Sequence, residues 1–129
     1  MKVQSLVLAL IASATFAACT SMPKHPTMVS NDMVTGSNGM TLYVFDQDVA
    51  GSGKSTCNGP CAENWPPLIA SDFAKVSEGG SSDLTLITRD NGKQQWALKG
   101  KPLYYWFKDQ KPGDKTGDGV KGVWHIAKP

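Results

Sequence analysis

The sequence predicts a small all-β domain, antiparallel and sandwich- or barrel-like, built from two related repeats with minimal helix. Three observations lead to this. Tyr43-Val44-Phe45-Asp46-Gln47-Asp48 and Tyr104-Tyr105-Trp106-Phe107-Lys108-Asp109 share the pattern Tyr-x-(Phe/Trp)-x-x-Asp and lie 104 − 43 = 61 residues apart. Each copy has a leucine just before the tyrosine (Leu42, Leu103) and a glycine four before it (Gly39, Gly100). Short stretches around both copies alternate apolar and polar side chains with the two-residue period of a strand, and glycine, asparagine and proline punctuate them at turns.

The chain begins with a segment that is not fold. Lys2 precedes an apolar run over residues 3–16, and Ala17-Ala18 leads into Cys19. The run is too short to span a bilayer comfortably and reads as an export signal over 1–18. The Ala-Ala-Cys ending resembles a bacterial lipobox, in which the cysteine is lipidated and becomes the first mature residue. Phe16 stands where such boxes usually carry leucine. If Cys19 carries lipid, Cys57 and Cys61 remain as an even pair. Removing 18 of 129 residues leaves one domain's worth of chain with 12 basic and 11 acidic residues. That mixed, nearly neutral balance offers no polybasic face for nucleic acid.

Residues 19–31 hold two prolines and small polar residues and read as a flexible tether. The folded domain is expected over 32–129, with repeat 1 at about 32–70 and repeat 2 at about 84–127. A short strand is expected at 32–35. After turn chemistry at 36–39 comes the motif strand at 41–45, with Tyr43 and Phe45 on one face and Leu42 and Val44 on the other. Residues 46–60 form a polar loop. Cys57 and Cys61 in an exported protein most simply make a disulfide that pins this loop, worth about 2 kcal/mol for so small a ring. A helical turn at 61–65 should stop at Pro66-Pro67. A short helix is possible at 72–76, followed by a loop at 78–82.

In the second half, 84–89 and 94–98 alternate around Asp90-Asn91-Gly92-Lys93, where Asn-Gly predicts a type I′ hairpin. The motif strand follows at 102–107, making a three-stranded meander, and a last strand is expected at 123–127. Each repeat therefore reads strand, aromatic motif, polar loop, tryptophan, the last being Trp65 or Trp124.

The motif residues Tyr43, Phe45, Asp48, Tyr104, Trp106 and Asp109 admit a structural account. Aromatics on one strand face bury large apolar area and pack against their counterparts. An aspartate just past a strand can accept two or three turn amides and hold a loop. Asp114-x-Thr116-x-Asp118-Gly119 resembles the start of a calcium loop, but the twelfth position is His125 rather than glutamate. Asp109, Asp114, Asp118 and His125 thus make at most a loose metal site, and Asp109 or Asp118 is the proposed partner of His125. No cofactor is implied.

The duplicated motif, the Cys-Asn-Gly-Pro-Cys-Ala-Glu-Asn-Trp-Pro-Pro-Leu stretch at 57–68, Gly100-x-Pro102-Leu103-Tyr104 and Gly122-Val123-Trp124-His125 together resemble a bacterial family. It is the predicted lipoproteins with a conserved Yx(FWY)xxD motif, the secreted repeat of unknown function. The resemblance covers roughly residues 32–127. It implies export and duplication and brings no established activity, so no catalytic residue is carried over.

The resulting expectation is a non-enzymatic lipoprotein of the cell envelope, binding or structural, anchored through Cys19 and facing the periplasm. Thr20 after that cysteine favours the outer membrane over the inner. The alternative is a metal-binding or redox-linked periplasmic protein using Cys57/Cys61, His125 or the Asp114–Asp118 loop. No nucleophile-base pair suggests a hydrolase, and the sequence names no protein or small-molecule partner.

Overall fold

The computed structural model describes residues 25–70 and 83–129. The export signal, Cys19, and the helix and loop expected within 72–82 lie outside the described residues. Seven short strands run in chain order: β1 (Thr27–Ser30), β2 (Met33–Gly36), β3 (Tyr43–Phe45), β4 (Leu84–Thr88), β5 (Gln94–Leu98), β6 (Lys101–Pro102) and β7 (Trp124–Ile126). One five-residue helix, α1 (Pro60–Asn64), stands between β3 and β4. The strands form three antiparallel sheets, β1–β2, β3–β7 and β4–β5–β6. Isolated bridges such as Tyr43↔Tyr104, Pro67↔Tyr104 and Ile69↔Gln95 stitch these sheets together. The domain is all-β with minimal helix.

The structure corrects three local expectations. First, β1 lies inside the stretch read as tether and pairs with β2 through a two-residue turn, with Ser30 opposite Met33. Asn31 and Asp32 both take positive φ (50° and 60°), the pattern of a type I′ turn. Short polar side chains tolerate that left-handed conformation without glycine, so the hairpin carries no Asn-Gly signature. Secondly, the type I′ turn expected at Asn91-Gly92 is a longer connection. Arg89 N–H donates to Lys93 O at 2.8 Å and Gly92 N–H to Arg89 O at 2.9 Å, and Gly92 alone in this loop has positive φ. Thirdly, the second motif strand expected at 102–107 is regular only over β6. Beyond it, each backbone amide finds a different partner: Tyr104 N–H bonds Tyr43 O, Tyr105 N–H bonds Pro66 O, and Phe107 N–H bonds Asn64 O.

Those partners expose a pseudo-two-fold relation. Tyr43 and Tyr104, the first residues of the two motifs, exchange both backbone hydrogen bonds (2.8 and 3.0 Å). Around that pair, matched bonds recur. Leu68 N–H reaches Leu103 O as Ala127 N–H reaches Leu42 O, and Trp96 N–H reaches Leu68 O as Val34 N–H reaches Ala127 O. The β1–β2 hairpin therefore corresponds to β4–β5. The tail that follows each tryptophan pairs with the other repeat. β7 lies on β3, with Phe45 opposite Trp124, and residues 66–68 lie along the second motif.

Strand alternation sorts the apolar side chains into two cores. Tyr43, Trp65, Tyr104, Trp124 and Ile126 are buried in one, with Phe45 and Trp106 packed against it. Val34, Leu42, Leu68, Trp96 and Leu103 are buried in the other, with Val44 and Tyr105 against it. The faces of β3 are those the sequence predicts. Because each repeat's tail completes the sheet of the other, neither half can satisfy its own backbone. Residues 25–70 and 83–129 expressed as separate polypeptides should each lack near-ultraviolet circular dichroism and dispersed amide resonances. A half that folds alone would contradict the interlocked pairing.

Candidate functional site

The motif's chemistry follows from one covalent fact: its tyrosine and aspartate are five residues apart, separated by a strand end and a tight turn. Asp48 N–H donates to Phe45 O at 3.0 Å and Asp109 N–H to Trp106 O at 3.1 Å, so each aspartate folds back at its strand end. Both carboxylates are buried. A buried carboxylate must be hydrogen-bonded on both oxygens to be tolerated.

One oxygen of each organises its own loop. Asp48 Oδ1 accepts from Thr56 N–H and from Thr56 Oγ1, both at 2.7 Å. Asp109 Oδ1 accepts from Thr116 N–H at 3.0 Å and Thr116 Oγ1 at 2.7 Å. The other oxygen crosses to the opposite repeat. Tyr43 Oη donates to Asp109 Oδ2 at 2.6 Å, and Tyr104 Oη donates to Asp48 Oδ2 at 2.5 Å. The sequence pointed to turn amides as the aspartates' donors; a threonine hydroxyl and the other repeat's tyrosine supply the rest. The recurring threonine, eight residues after Asp48 and seven after Asp109, is the sequence signal that was available for this.

The aromatic residues obey the same dyad. Phe45 stacks on Trp124 (centroids 4.2 Å apart, planes 7° apart), Trp124 on Trp65 (3.7 Å, 4°), and Trp65 on Trp106 (4.0 Å, 30°). Phe45 corresponds to Trp106 and Trp65 to Trp124, so the four-ring column reads the same from either end. Tyr43 meets Trp65 edge-on at 5.4 Å and Tyr104 meets Trp124 edge-on at 5.1 Å. Gly117 must be glycine: a Cβ there would lie 2.8 Å from Trp106 Cγ and 2.9 Å from Trp65 Cη2.

The two loops differ. Cys57 and Cys61 form a disulfide beside α1. Next to it lies Arg89, the chain's single arginine, buried between β4 and this loop. Its guanidinium donates to Ser55 Oγ (3.0 Å), Gln95 Oε1 (2.7 Å), Cys57 O (2.6 Å) and Asn58 Oδ1 (3.2 Å). Ser55 Oγ lies 2.6 Å from Tyr104 Oη, linking the arginine to the crossed pair. On the other side the Gly117 amide donates to Tyr43 Oη at 3.2 Å. Sequence reasoning passed over Arg89; its being unique among thirteen basic residues was the only cue.

The candidate metal ligands do not converge. Asp109 is committed as described. Asp114 Oδ2 accepts from the Gln110 and Lys111 amides at 2.9 and 3.2 Å, and Asp118 Oδ1 accepts from Ile126 N–H at 3.2 Å. His125 pairs with neither Asp109 nor Asp118. It projects from the exposed face of β7 and meets Asp46 Oδ2 at 2.8 Å. Among the described residues no three histidine, cysteine, aspartate or glutamate side chains are grouped to hold a metal ion. Asp109, Asp114 and Asp118 each cap a loop and His125 meets Asp46 on the surface, so the four side chains of the calcium-like set are not drawn together.

Compared with known families, residues 31–69 and 85–128 match the family described as a secreted repeat of unknown function. The chain belongs to that family. The two matched segments are the two interlocked repeats, and the family's description points to an extracellular or envelope location. Neither curated proteins nor solved structures gave a match. In this secreted repeat, the motif tyrosine and aspartate are thus the polar link between copies.

Burial, then the bond to a carboxylate, hold the Tyr43 and Tyr104 hydroxyls well above their ordinary value. Because the folded values are raised, their contribution to stability is intact below about pH 10 and is lost as pH climbs through the folded values. Tyr43→Phe or Tyr104→Phe leaves a buried carboxylate short of a donor and should cost about 1–3 kcal/mol in urea unfolding near neutrality. Above about pH 10 the wild type should lose stability steadily, and the double variant should lose it less steeply. Equal alkaline slopes for the two would contradict the assignment.

Proposed function

We propose that this protein is a non-enzymatic module of the bacterial cell envelope, binding or structural in role, held at the membrane by a lipid on Cys19 and facing the periplasm. The observation that carries a non-enzymatic reading is the commitment of the motif's polar atoms. Tyr43, Tyr104, Asp48 and Asp109 all spend their hydroxyls and carboxylates on loop closure and on joining the repeats. A motif fully engaged in holding a fold serves as framework, and ligand contact then falls to the surfaces that the framework presents.

Support for the anchor comes from the N-terminal sequence: one lysine, an apolar run, and Ala17-Ala18-Cys19. The family's description as secreted agrees with export. Thr20 after the cysteine favours the outer membrane. A single acyl chain binds membranes only marginally, so stable anchoring needs the multiple chains that lipoprotein processing installs.

Expression of the full-length chain and of Cys19→Ala in a Gram-negative host, followed by fractionation, tests the anchor. The unaltered protein should sediment with membranes and partition into detergent, while Cys19→Ala should appear in the soluble periplasmic fraction. Membrane retention by the variant would contradict lipid anchoring.

A further inference from the structure

The two repeats agree closely along the dyad but, besides their loops, differ at one pair of equivalent places on the outer face. Beside the second core, Val44 of β3 corresponds to Tyr105 through the motif. Leu98 of β5 corresponds to Gly36 of β2, because Trp96 and Val34 make matched backbone bonds. On one side the tyrosine fills the space. The Tyr105 hydroxyl lies over Gly36, so closely that a Cβ there would sit 2.1 Å from Oη, and the Asn38 side chain hydrogen-bonds that hydroxyl. On the other side valine is too short to do this, and a cavity of about 350 Å³ remains open.

That cavity has a consistent chemistry. Its apolar lining comes from Val44, Leu98 and Ala127. Its rim carries Lys99, Lys101 and Lys128. Asp46 also lines it and is paired with His125 at 2.8 Å, and Pro129 completes the lining. Lys99 also holds a left-handed backbone (φ 52°), a conformation that asparagine and glycine adopt more cheaply than lysine. The corresponding turn of the first repeat carries Ser37 and Asn38. Lysines around an unfilled apolar hollow suit a ligand with an anionic head and an apolar body. The volume is at the lower end of the range for small-molecule sites.

We propose that this cavity binds a small organic anion, a carboxylate or phosphate monoester, whose apolar part lies on Val44 and Leu98 while its head is held by Lys99, Lys101 and Lys128. The inference deepens the non-enzymatic binding reading and rests on it. Tyr105 shows how the equivalent place looks when it is closed: one copy is filled and the other is open.

The test uses the full-length chain in detergent micelles, titrated by amide-resolved NMR with hexanoate, hexyl phosphate and inorganic phosphate. Hexanoate and hexyl phosphate should bind saturably, perturb Val44, Leu98 and His125, and bind about tenfold or more tightly than inorganic phosphate. The variant Lys99→Gln/Lys101→Gln/Lys128→Gln should weaken binding by about tenfold or more. Val44→Tyr, which copies the filled side, should abolish it. The triple variant alters surface residues only, so it keeps the test decisive if Val44→Tyr does not fold. Absence of saturable binding by both organic anions, binding unaffected by the triple variant, or equal affinity for inorganic phosphate would overturn the site. None of those outcomes touches the lipid anchor, which Cys19→Ala tests. Saturable binding accompanied by new product resonances would support the site and count against the non-enzymatic reading.

Discussion

Two buried carboxylates govern this fold. Asp48 and Asp109 each sit at the end of a motif strand, and each needs more donors than its own loop provides. The missing donor is the tyrosine of the other repeat. A buried acceptor left unpaired costs about 1–3 kcal/mol, and more when it is charged. The crossing therefore makes the repeats mutually dependent. The reciprocal backbone bonds of Tyr43 and Tyr104 and the stack of Phe45, Trp124, Trp65 and Trp106 lie on the same dyad. Hydrogen bonds, sheet pairing and aromatic packing all select one mutual arrangement, which is the consistency expected of a sequence with a single native state.

Duplication also explains where the molecule has freedom to differ. Residues on the dyad are constrained by both copies at once. The loops and outer faces are constrained by one. The first loop is pinned by Cys57–Cys61 and by Arg89, whose charge is buried among neutral acceptors. The second closes on Gly117, against which the tryptophans pack directly. The outer face is filled by Tyr105 in one copy and left open beside Val44 in the other. The framework and the outer faces are thus separate parts of the chain, and the motif that is easiest to see belongs to the framework.

Much of this was legible before any coordinates. Alternation placed Tyr43 and Phe45 on one face and Leu42 and Val44 on the other, because strand geometry leaves no other choice. The cysteine spacing indicated the disulfide, and Pro66-Pro67 ended α1 as proline must. What escaped were pairings between residues distant in sequence. Nothing local to Tyr43 names Asp109, 66 residues away, as its acceptor. The turn at Asn31-Asp32 lacks glycine, so nothing local distinguishes β1 from a tether. Arg89 follows a strand like any surface cation, and only its three-dimensional neighbours show that it is enclosed. The metal-like spacing of Asp114 and Asp118 misled for a related reason: aspartates that cap loops and aspartates that bind cations occupy similar glycine-rich sequence.

The central claim is that the motif tyrosine and aspartate act between repeats and not within one. Double-mutant cycles measure this directly, using Tyr→Phe and Asp→Asn at the four positions and urea unfolding as the readout. The account predicts coupling of about 0.5–3 kcal/mol for Tyr43 with Asp109 and for Tyr104 with Asp48, and additivity within about 0.5 kcal/mol for Tyr43 with Asp48 and for Tyr104 with Asp109. Coupling confined to the same-repeat pairs, with the crossed pairs additive, would contradict it.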